Sequence, residues 1–134
     1  MIQTRTEIRV RYAETDMMGI AYHGNYMTWF EIARVHMMDE LGYPYAEMEK
    51  EGYRLPVLEV HSHFKKSVTF DDLVTIEATL REPPALRMRI EYRLFCRDLV
   101  IAEGFTRHAF INKEGRPVRP PAKFTREMKA IFSA

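Results

Sequence analysis

Cysteine is nearly absent from this chain: Cys96 is the only one among 134 residues. No intrachain disulfide can form, and such usage fits a reducing compartment. An excess of charge is missing too, with 20 basic side chains against 19 acidic ones and a net charge of +1. No basic run is longer than Lys65-Lys66. Neither a nucleic-acid partner nor a charged membrane surface is expected on that balance. No apolar stretch approaches the ~20 residues of a membrane span. The opening MIQTRTEIRV lacks the apolar core of a secretory signal, so a cytoplasmic protein is expected. Repeats, low-complexity tracts and Gly/Ser linkers are also lacking, which makes residues 1–134 one domain.

What is present is hydrophobic periodicity. Residues 3–12 alternate, with Ile8, Val10 and Tyr12 on one face, and read as a strand. Residues 13–24 keep no period and carry two glycines, as a loop does. From Asn25 to Leu41 the period becomes helical. Tyr26, Met27, Trp29, Phe30, Ala33, Met37, Met38 and Leu41 share one broad face, with Ile32 and Val35 as exceptions. Asn25 suits the N-cap and Gly42 the position after the C-cap. A short helix is expected after Pro44, ending at Gly52.

Strands follow. Leu58, Val60 and Phe64 alternate, then Val74 to Leu80, then Leu86 to Leu94, then a strand from about Val100 to Ile111. Each has one apolar and one polar face, as in an antiparallel sheet covered on one side. The order of one strand, one long buried helix, four strands in meander and a short C-terminal helix makes the fold class α+β.

The segment with chemical promise is Tyr12-Ala-Glu-Thr-Asp16-Met-Met-Gly19-Ile-Ala-Tyr22-His23-Gly24-Asn25-Tyr26. Together with Phe30-Glu31-Ile32-Ala33-Arg34, the Ser67–Asp72 turn and Ala102-Glu103-Gly104, it resembles the 4-hydroxybenzoyl-CoA thioesterase-like hot-dog family. Within that family it is most similar to the Tol-Pal-associated acyl-CoA thioesterase branch. The resemblance implies a five-stranded curved antiparallel sheet around one long central helix, and hydrolysis of an acyl-CoA to a carboxylic acid and CoA. It implies Asp16 as nucleophile or general base, the backbone N–H of His23 as oxyanion donor, and a homodimer or homotetramer. His23 and Tyr12 are the further catalytic candidates.

The chemistry is coherent on its own terms. Thioester hydrolysis needs a nucleophile or base at the acyl carbon and donors for a developing oxyanion. A helix starting near Asn25 offers unpaired N–H groups and the positive end of its dipole. Gly19 and Gly24 are the candidate substrate-binding positions, where the backbone can turn tightly and approach a ligand. A thiol of pKa about 8.5, by analogy with cysteine, leaves without a metal or a strong acid, so neither metal nor cofactor is expected.

Other residues have plainer readings. His61 and His63 have metal-like spacing but no third ligand. Glu31 is the reserve carboxylate, spaced to pair with Arg34 on the helix. Cys96 reads as a small buried hydrophobe. Arg87, Arg89 and Arg93 form a stripe that either meets CoA phosphates or pairs across strands with Glu77 and Glu59. The alternatives to a thioesterase are a non-catalytic acyl-CoA-binding or protein-interaction module, and a hot-dog hydratase or dehydratase.

Overall fold

The computed structural model describes residues 1–133. In chain order they form β1 (Ile2–Arg9), a 3-10 turn (Tyr12–Glu14), α1 (Asn25–Glu40), α2 (Tyr45–Lys50), β2 (Val57–Phe64), β3 (Leu73–Leu80), β4 (Arg87–Cys96), β5 (Leu99–Ala109) and α3 (Ala122–Ser133). The five strands make one antiparallel sheet in the order β1-β3-β4-β5-β2. Helix α1 packs on its inner face, giving the expected α+β hot-dog arrangement.

The meander is shorter than four strands. Only β3, β4 and β5 follow one another, while β2 pairs with β5 at the far edge. Alternation tells which face a strand shows, not which strand lies beside it. The first strand also stops before Tyr12. There Val10 leaves the ladder by exchanging main-chain bonds of 2.9 and 2.7 Å with Asp72 and Asp71.

Helix α1 buries Trp29, Phe30, Ala33, Met37 and Met38 almost completely, and leaves Ile32 and Val35 partly exposed. It ends as expected: Gly42 takes φ +78°, and the Tyr43 amide donates to the Met38 carbonyl at 2.9 Å. Its start differs. Gly24 is the N-cap, and the Asn25 side chain reaches back to the Glu14 carbonyl at 2.8 Å instead of capping its own helix.

The inner rows of β3 and β4, from Val74 to Leu80 and from Met88 to Cys96, are buried under the helix. Phe30 stacks on Tyr92 with centroids 4.3 Å apart. A methyl group at Gly104 would overlap the His61 carbonyl oxygen and press on the Phe30 ring, so only glycine permits that approach. Strand β2 behaves otherwise. Val60 stays 45% exposed and Phe64 42% exposed, because β2 is an edge and α1 lies over β1 and β3.

Arg34 does not pair with Glu31. Its side chain is buried and turns to the sheet, where Nη1 donates to the Tyr92 hydroxyl at 3.3 Å. The chain of bonds continues from Tyr92 to Thr106 at 2.6 Å, to His108 Nε2 at 2.8 Å, and from His108 Nδ1 to the Pro56 carbonyl at 3.2 Å. A neutral His108 gives every bond in this series one donor and one acceptor. Protonating Nε2 would reverse the Thr106–His108 bond and place a second buried cation near Arg34. Burial, and next the Arg34 cation, push the imidazole pKa down from 6.5 to about 4.

A depressed histidine pKa means the unfolded chain binds the extra proton first. Stability from this group is therefore complete above pH 6.5 and falls as pH drops toward 4, by about 3 kcal/mol across that window. Urea unfolding at pH 7.0 and 4.5 should show this loss, and His108→Gln should flatten the pH slope between them. An equal slope in both proteins would contradict the assignment.

Candidate active site

The loop between the 3-10 turn and α1 is held by a carboxylate that the sequence reading passed over. Glu14 is buried, and its oxygens accept from the Arg11 amide at 2.9 Å and from Trp29 Nε1 at 2.8 Å. The Arg11 guanidinium lies 3.4 Å from the same group. Burial alone would raise the Glu14 pKa. The amide, the indole and the guanidinium outweigh it, and the carboxyl sits below the usual carboxylate range. Its main-chain carbonyl accepts both the Tyr22 amide and the Asn25 side chain, each at 2.8 Å. Glu14 thus ties the entry and exit of the loop to the first turns of α1.

Asp16 lies two residues on, at the neck of a tight hairpin. Its amide donates to the Ile20 carbonyl and its carbonyl accepts from Gly19, both at 2.9 Å. Oδ1 accepts from the Met18 amide at 2.9 Å, which fixes the carboxylate orientation and leaves Oδ2 without a donor among the described residues. Gly19 takes φ +78°, a value that favours glycine. Gly24 is needed for a different reason: its backbone is helical, but a Cβ there would lie 2.7 Å from the Tyr22 ring.

Asp16 and His23 line one cavity of about 260 Å³ with Tyr26, Phe64, Lys65, Lys66 and Ser67. The loop meets the β2–β3 connection there, the Ala21 amide donating to the Val68 carbonyl at 2.8 Å. The His23 ring is exposed between Tyr22 and Phe64, at 4.4 and 6.1 Å. Among the described residues the His23 and Gly24 amides have no acceptor, so the N-terminus of α1 presents free donors. A carboxylate with one unengaged oxygen, on the same cavity as a residue whose amide is free, can attack, or deprotonate water at, a carbonyl whose oxygen rests on the helix end.

Tyr12 is not brought into this cavity. Its exposed ring stacks on Phe70 at 3.6 Å. Glu31 points to solvent on α1, outside the cavity. His61 stacks on Phe105, and no described group of three His, Cys, Asp or Glu residues is placed to hold a metal. Cys96 is buried, and burial raises its thiol pKa. Of the arginine stripe, Arg93 approaches Glu77 at 3.9 Å and Arg89 lies over Phe105; Glu59 pairs instead with Arg107 at 3.6 Å, and Arg87 forms no ion pair among the described residues. A larger hollow of about 630 Å³ lies around Arg5, Asp72 and Arg97, where Arg97 and Asp72 already pair at 2.7 Å.

Replacing Glu14 by glutamine puts an NH2 group against one of two buried donors. Glu14→Gln should cost about 2–4 kcal/mol and loosen the Asp16 hairpin. The midpoint of urea unfolding checks this, and a midpoint equal to the wild type would remove Glu14 from its proposed role.

The family model described as the thioesterase-like superfamily matches residues 10–131. The acyl-CoA thioesterase YbgC of Haemophilus influenzae is 26% identical over 126 residues, which cover 93% of this chain and 90% of that protein. The DHNA-CoA thioesterase of Staphylococcus aureus has a TM-score of 0.94 at 34% identity, covering 99% of this chain and 93% of that one. The gentisyl-coenzyme A thioesterase BH1999 has a TM-score of 0.86 at 28% identity, covering 92% of this chain and 99% of that one. The match over residues 10–131, together with so close a likeness of fold, places the chain: it belongs to the thioesterase-like superfamily.

Proposed function

We propose that this protein is an acyl-CoA thioesterase, with Asp16 as its catalytic carboxylate and the amide end of α1 near His23 as its oxyanion site. The observation that supports the reading is the shared cavity: Asp16, with one carboxylate oxygen unengaged, lines it together with His23, whose amide has no acceptor among the described residues. Asp16 either adds to the carbonyl carbon, giving a mixed anhydride that water opens, or takes a proton from the attacking water. In both courses the helix end receives the oxyanion and the thiol departs. His23 contributes its amide, and its ring borders the acyl group.

The acyl group is compact, and aromatic acyl groups fit best. The cavity is small and walled by Tyr26, Phe64 and His23. The proteins of similar structure named above act, by their names, on DHNA-CoA and gentisyl-coenzyme A. The working unit is a homodimer or homotetramer in the cytoplasm. Strand β2 leaves a free edge and exposed Val60 and Phe64 beside the cavity, and a second β2 would cover both.

Free-thiol release from a panel of acyl-CoAs tests this. Benzoyl- and hydroxybenzoyl-CoA should turn over faster than palmitoyl-CoA, and sedimentation should give a multiple of 15.9 kDa. Binding of acyl-CoA without thiol release would favour a non-catalytic module, and addition of water to an enoyl-CoA would favour a hydratase. A clean monomer at micromolar concentration would contradict the assembly.

A further inference from the structure

We propose that Lys66 is a catalytic residue of this site, its ammonium stabilising the thiolate as it leaves; the proposal rests on the acyl-CoA reading above. Thioester cleavage develops negative charge twice, on two different atoms. The carbonyl oxygen carries it first, and the amide end of α1 can meet that charge. The sulfur carries it second. A donor for the sulfur has to come from another wall of the cavity, because the helix end is already occupied.

The cations lining the cavity are Lys65 and Lys66. Both of their amides donate to the Ile101 carbonyl, at 2.8 and 3.1 Å, so the chain bulges as it leaves β2 and its two lysines part. Lys65 is neutralised: its Nζ sits 2.7 Å from Glu103 Oε1. Lys66 forms no ion pair among the described residues and lines the cavity that holds Asp16. An unpaired lysine on the same cavity as a reactive carboxylate suits a reaction that moves negative charge from the carboxylate side of the substrate to its sulfur.

The step balances without another reactant. In the tetrahedral adduct the oxyanion lone pair re-forms the C=O bond as the C–S bond breaks. The bonding pair goes to sulfur, and the thiolate pairs with the Lys66 ammonium. It takes its proton from that ammonium or from water on release, and solvent restores the lysine.

Three benzoyl thioesters separate this role from others: benzoyl-CoA, benzoyl-pantetheine, which lacks the nucleotide, and S-phenyl thiobenzoate, whose thiol is more acidic and needs less help to leave. Lys66→Met should lower kcat about 10- to 100-fold on the first two alike, with little change in KM, and should spare the third. Lys66→Arg should restore much of the loss. A rise in KM confined to benzoyl-CoA would make Lys66 a phosphate contact and overturn the proposal. An equal loss on all three esters, or no loss, would overturn it as well. If the wild-type protein releases thiol from none of them, the thioesterase reading itself has failed.

Discussion

Everything at this site depends on the buried Glu14 carboxylate. A carboxylate removed from water is expensive unless its oxygens are supplied with donors. Here the donors come from both sides of the loop: the Arg11 amide precedes it and the Trp29 indole comes from the second turn of α1. Satisfying Glu14 therefore fixes the distance between the end of β1 and the start of the helix. The same residue's carbonyl gathers Tyr22 and Asn25. Asp16 inherits a fixed position because the hairpin carrying it closes between these anchors.

The sheet serves the same end from beneath. Phe30 rests on Tyr92 and Gly104, and the polar series from Arg34 to the Pro56 carbonyl links α1 through β4 and β5 to the segment entering β2. The helix whose N-terminus would hold an oxyanion is thus clamped by stacking at one turn and by hydrogen bonds at the next. Preorganised donors are effective in catalysis because they need not reorient as charge develops. Strand β2 leaves Val60 and Phe64 exposed, and it borders the cavity through Phe64.

Much of the fold was legible in the sequence because burial imposes periodicity. The sided helix from Asn25, the alternation in β3 and β4, and the Gly42 stop all reflect local rules. The position of β2 was not legible, since alternation is the same beside β3 or beside β5. Asp16, Gly19 and His23 stood out through the resemblance of their loop to a known family, since the spacing alone is weak, and the structure places Asp16 and His23 on one cavity. Glu14 escaped notice, and Arg34 was expected to pair with Glu31 on the helix surface. A charged residue in a loop or on a helix usually faces water, and only three-dimensional neighbours reveal that these two are buried and bonded. Tyr12 is four residues from Asp16 in sequence but lies apart from its cavity, with its ring stacked on Phe70.

The central claim is that one carboxylate, Asp16, does the chemistry. Asparagine has nearly the same shape but can neither attack as a carboxylate nor accept a proton from water. The direct measurement is kcat of Asp16→Asn on the best acyl-CoA, beside Asp39→Asn as a control on the exposed face of α1. The account predicts a loss of more than about 10³-fold for Asp16→Asn, with circular dichroism and oligomeric state unchanged, and near-normal turnover for the control. Near-normal turnover by Asp16→Asn, or abolition of activity by Glu31→Gln instead, would contradict it.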